Sequence, residues 1–135
     1  MSVRWLALAT TLGVAACSPV KQPARSVADG DPLRTAVVTD IVETMIAMYA
    51  PGVTPLAPAR AMGGPFETAL LGALRGRGYD VLITPGRGAA FDCHVDVLEG
   101  PVYRVVVSVG DSRLSRLWVV KGGEAYAGGA WAYRE

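Results

Sequence analysis

The residues best suited to chemistry stand together at Asp92, Cys93, His94 and Asp96, around the single histidine of the chain. On a strand over 91–97, Asp92, His94 and Asp96 share one face at i, i+2 and i+4, a spacing able to ligate a divalent metal. The same alternation puts Phe91, Cys93, Val95 and Val97 on the opposite face, which is the pattern of a half-buried strand with an acid-histidine-acid solvent side. A stable metal site needs three or four protein ligands with groups behind them to orient them, so the solvated face is the simpler account and no metal is expected. Cys93 beside His94 has the composition of a nucleophile and its base. Adjacent strand residues point to opposite faces, however, so the imidazole does not reach the thiol, and Cys93 reads as a small buried hydrophobe. Gly86-Arg87-Gly88 shares its glycines with phosphate loops but lacks the Gly-x-x-x-x-Gly-Lys-Ser/Thr frame, and a turn is the better explanation. No Gly-x-Ser-x-Gly elbow, His-Glu-x-x-His or Cys-x-x-Cys occurs. The chain is read as a non-enzyme with no catalytic residue and no cofactor.

The elements that hold these residues follow from periodicity. Asp31 is a good N-cap, Pro32 suits the first helical position, and Leu33, Val37, Ile41, Met45 and Met48 form an apolar stripe before Pro51-Gly52 ends the helix. Arg34, Thr35, Thr39 and Glu43 lie opposite, with Val42 and Ile46 as apolar exceptions. A short edge strand is expected over 53–57, limited by Pro55. A second helix follows Gly63-Gly64-Pro65, with Phe66, Leu70, Ala73 and Leu74 on one face and Gly76 or Gly78 as its stop. From Tyr79 the period changes to two. Strands are expected over 79–83, 91–97, 102–109 and 113–120, with short returns at 124–126 and 131–133, separated by glycine-rich turns. Helices first and neighbouring strands after them predict an α+β domain over 31–135: two helices packed on one face of a mainly antiparallel sheet of about four to five strands.

Composition limits what such a domain does. With 135 residues, 13 basic and 12 acidic side chains and two cysteines, one domain is expected and an electrostatic nucleic-acid binder is not. Half the chain is apolar, and the apolar excess is concentrated at the start. Arg4 followed by an uncharged run from Trp5 to Ala16 is too short for a bilayer span, which takes about 20 residues, and reads as an export signal over 1–16. Val14-Ala15-Ala16-Cys17 resembles the lipobox of bacterial lipoproteins, where the thiol becomes a thioether to diacylglycerol and the new N-terminus is N-acylated. The alternative is an ordinary signal peptide cleaved at Ala-x-Ala with a chance cysteine. Lipidation at Cys17 would anchor the protein by its acyl chains. Ser18 stands where enteric inner-membrane lipoproteins often carry Asp, so by that resemblance the outer membrane is the expected site, with the domain in the periplasm and inner-membrane retention as the alternative. Loss of Arg4 leaves the acidic and basic side chains balanced, and Cys93 as the one free thiol has no intramolecular disulfide partner. Residues 17–30 read as the lipidated N-terminus and a flexible tether, the tether over 18–30 being about 20 Å end to end as a coil and roughly 43 Å stretched.

Arg104, Arg113, Arg116, Lys121 and Arg134 outnumber the acidic residues of the last 35 positions by too little for a DNA-binding stripe. Trp118 is expected in the core; Trp131 and Tyr133, near the chain end, are candidate partner contacts. Four pieces in order resemble one family: the lipobox at Cys17; Leu74-Arg75-Gly76-Arg77-Gly78-Tyr79-Asp80-Val81 after the second helix; Val109-Gly110-Asp111-Ser112-Arg113-Leu114-Ser115-Arg116; and the ending Gly129-Ala130-Trp131-Ala132-Tyr133-Arg134-Glu135. Together they resemble the conjugal transfer protein TrbH family. That resemblance implies a small lipoprotein of the mating-pair formation apparatus, a type IV secretion machinery, with other envelope proteins of that apparatus as partners and no catalytic residues to carry over; from the charge balance, no direct nucleic-acid contact is expected. The alternative is a general envelope lipoprotein that binds a small ligand or assists outer-membrane assembly.

Overall fold

The structure, a computed structural model, describes residues 31–83 and 86–135. The signal segment, Cys17 and the tether lie outside the described residues, as do Thr84 and Pro85. Helix α1 spans Pro32–Met48: the Asp31 carboxylate accepts a hydrogen bond from the Leu33 N–H at 2.9 Å, and Pro32 occupies the first turn, as the sequence predicts. Its buried stripe is Leu33, Val37, Ile41, Val42 and Met45. Met48, expected in that stripe, is instead exposed, and Val42, expected opposite, is buried. The difference is one of helical drift, since a 3.6-residue period carries the stripe past a strict four-residue spacing.

Helix α2 spans Pro65–Gly76 and buries Phe66, Leu70, Leu71 and Leu74. Gly78 is its stop. The Gly78 N–H bonds the Arg75 carbonyl and the Tyr79 N–H reaches back to the Leu74 carbonyl at 3.1 Å, with Gly78 at φ +92°. This ending requires a left-handed residue, which glycine adopts without a Cβ clash, and it seats Tyr79 and Leu74 in the same core.

Six strands form one sheet: β1 (Leu56–Pro58), β2 (Ala89–Glu99), β3 (Val102–Val109), β4 (Ser112–Lys121), β5 (Glu124–Ala127) and β6 (Ala132–Arg134). The order is β1-β2-β3-β4-β5, with β6 also paired to β4. All pairings are antiparallel except β1 with β2. β5 pairs with the second half of β4 (Trp118–Lys121) and β6 with the first half (Arg113–Ser115), so both returns lie along one edge. The helices and the inward residues of β2, β3 and β4 form a single apolar cluster. Phe91, Cys93, Val105, Val107, Val109, Leu114 and Trp118 face it, so both helices cover one face and, among the described residues, the other is open.

The fold class is the expected one, with two corrections. The sheet has one strand more than the expected maximum. The segment 79–83 is not a strand but makes a single parallel bridge, Val81 to Leu56. Its partner β1 is only three residues long: Leu56 donates to the Asp80 carbonyl and accepts from the Leu82 N–H, and Pro58, the next residue on that side, has no N–H to extend the ladder. Ile83 then turns out to solvent.

Candidate functional site

Strand β2 does place Asp92, His94 and Asp96 on one face, the open one, and Phe91 and Cys93 in the core. Neighbouring strands decide what that face can do. Asp96 stands directly across from Arg104 on β3, and the guanidinium donates to its Oδ2 at 2.8 and 3.2 Å. His94 Nε2 lies 3.7 Å from the same carboxylate oxygen. Asp92 is engaged from the other side: Arg60, just past β1, puts Nε 2.8 Å from Asp92 Oδ1, donates to the Cys93 carbonyl at 2.8 Å and reaches Glu67 of α2 at 3.3 Å. Both carboxylates of the sequence triad thus face cations, and a guanidinium held against each is a structural ion pair rather than a metal cradle. Among the described residues no group of three or more histidine, cysteine or acidic side chains converges as metal ligands would.

Cys93 is fully buried. Burial, reinforced by the Asp92 and Glu67 carboxylates against the weaker opposing pull of Arg60, pushes its thiol pKa far up. A neutral, inaccessible thiol is neither nucleophile nor metal ligand. The glycine-rich loop has a packing explanation as well. A Cβ on Gly88 would stand 2.8 Å from the Pro55 carbonyl oxygen, at the point where the Ala89 N–H bonds that oxygen and β2 enters alongside β1.

The aromatic end separates into two environments. Trp118 is in the core as expected. Trp131 is half-buried and lies against Ile41, Thr44, Met45, Val107 and Leu114, between α1 and the sheet. Tyr133, across from Leu114 on β4, is about half exposed, with its hydroxyl near Ser112 at 3.1 Å and donating to Glu135 at 2.8 Å.

Two arginines, neither of them given a partner by the sequence, join the elements. Arg60 ties β1, β2 and α2 together. Arg116 donates to Asp40 of α1 at 2.7 Å and to the Gly129 carbonyl at 2.6 Å, and its guanidinium lies 5.9 Å from the Trp118 ring centre. The sequence carries a signal for the second: Leu114, Arg116 and Trp118 have one strand parity, so a cation at 116 faces the helices and needs a partner there.

A family model described as conjugal transfer protein TrbH matches residues 20–135. No curated protein and no solved structure matches the chain.

Proposed function

Because the chain belongs to the TrbH family of conjugal transfer proteins, we propose that it is a membrane-anchored lipoprotein of a conjugative type IV secretion apparatus, with a structural or assembly role in plasmid DNA transfer. The observation that carries this reading is the family match, which spans the two helices and every strand. Three features support the finer parts. The lipobox at Cys17 supplies a lipid anchor in the outer membrane, and no helix of the described residues is long and apolar enough to cross a membrane. The carboxylates nearest the histidine are engaged by arginines. The open sheet face leaves surface for contact with other envelope proteins of the apparatus, as does the exposed ring of Tyr133 beside the half-buried Trp131. Work done by contact rather than by catalysis fits this distribution.

Deletion of the gene from a transfer-proficient plasmid is the test. Mating frequency falls, and supply of the intact gene in trans restores it. Normal transfer from a clean deletion would remove the assignment.

A further inference from the structure

The basic residues of the last third of the chain are few, but the sheet sorts them. Arg116 turns towards the helices, whereas Arg104, Arg113 and Arg134 all have the open-face parity. Arg113 and Arg134 are direct cross-strand partners on β4 and β6, and all three side chains are exposed. Like charges placed directly opposite on one face destabilise a sheet. Arg104 has Asp96, but among the described residues neither Arg113 nor Arg134 has an acidic group within ion-pair distance. Asp111 and Glu135 stand beside these two arginines without pairing with them. Between the arginines lies a shallow hollow of about 340 Å³ bounded by His94, Arg104, Val106, Arg113, Ser115 and Arg134. Val106 is its apolar floor, and exposed Leu117 and Tyr126 continue the same face along β4 and β5.

We propose that this hollow docks an acidic, partly apolar segment of a partner protein, with a carboxylate received between Arg113 and Arg134. The inference deepens the assembly role and rests on it for the setting in which the partner is met. A carboxylate matches the planar fork of a guanidinium with two parallel hydrogen bonds, and one placed here relieves the repulsion between the arginines. Recognition of an anionic membrane surface uses clusters of about four to eight basic residues, and two unpaired arginines fall short of that. The apolar flank of Leu117 and Tyr126 suits a peptide that carries hydrophobic side chains between its acids.

The test uses the full chain in detergent and a fluorescein-labelled peptide of alternating glutamate and leucine, followed by fluorescence anisotropy. The peptide binds at low salt and more weakly as salt rises, and its lysine-for-glutamate counterpart does not bind. Arg113→Gln and Arg134→Gln each weaken binding about tenfold, whereas Arg75→Gln on α2 has no effect. The thermal midpoint of the two sheet variants stays level or rises, since a like-charge pair has been removed. Equal binding by the variants overturns the proposal, as does inorganic phosphate displacing the peptide as well as free glutamate peptide does. An arginine-dependent preference for phosphatidylglycerol over phosphatidylcholine vesicles, without peptide binding, overturns it in favour of a lipid. Peptide binding needs no mating apparatus, so the two readings fail separately. A mating defect on deletion with no peptide binding removes the docking site and leaves the transfer role. Peptide binding with normal mating does the reverse.

Discussion

Arg116 and Cys93 sit on the same side of the sheet with opposite demands, one a cation and the other a thiol kept neutral. Arg116 and Asp40 are each about one-fifth exposed, so their 2.7 Å contact is sheltered from solvent without being dry. Replacing Arg116 by Met leaves the Asp40 carboxylate, one of whose oxygens already lacks a hydrogen-bond partner among the described residues, without its cation. The expected cost is about 2 kcal/mol in urea unfolding. Asp40→Leu in the same background should recover part of it, giving a coupling energy on the order of 1 kcal/mol; strict additivity would show that the pair is not energetically joined. For Cys93 the expectation concerns pH. Its folded pKa is raised, first by burial and then by the nearby carboxylates, so the unfolded chain releases the thiol proton where the folded chain keeps it. The thiol's contribution to stability is then fully present below its ordinary value of 9.0 and is lost as pH rises above it. Wild type should lose about 1.4 kcal/mol per pH unit more than Cys93→Ala between pH 9.5 and roughly 10.5. Parallel pH profiles would mean that the thiol is solvated in the folded state.

At the scale of elements, the entry of β2 beside β1 depends on a contact that only a residue without a Cβ permits. Gly88→Ala brings a methyl group to 2.8 Å from a backbone oxygen, which cannot swing aside as a side chain would. The expected loss is about 1–3 kcal/mol, read as a lower urea midpoint with unchanged slope. Gly72→Ala is the matched control: it lies within α2 with open space around it, and should stabilise by about 0.5–1 kcal/mol. If both substitutions act alike, close approach at Gly88 is not what the loop requires. These elements also divide what sequence shows from what it does not. The strict alternation of 91–97 correctly placed Asp92, His94 and Asp96 on one face because each step along an isolated strand reverses the side chain. It was silent on Arg60 and Arg104, which come from other elements and turn a possible ligand set into ion pairs. The segment 79–83 has strand-like residues, yet it lacks a neighbour long enough to pair with. Trp131 gave no local sign of packing against α1, since that contact depends on the chain returning along the edge of β4.

At the scale of the whole molecule, the proposed anchor and the folded domain are expected to have separate effects. Among the described residues, the core cluster runs from Leu33 to Trp131, and Arg60 and Arg116 join helices to sheet through partners within that same span. On the proposed reading, an acyl anchor on Cys17 acts through location. Cys17→Ser in the full-length protein should abolish fatty-acid labelling and move the protein out of the membrane fraction. Near-ultraviolet circular dichroism, which reports the packed Trp118 and Trp131, should show an unchanged folded signal, and the unfolding midpoint should match wild type within experimental error. Mating frequency should nonetheless fall towards that of the deletion, because an anchored domain would meet membrane-bound partners at an effective concentration that free diffusion does not supply. Persistent labelling would refute lipidation at Cys17. Lost labelling with full mating would show that the domain finds its partners without an anchor, and the role of the lipid would then have to be sought elsewhere than in assembly.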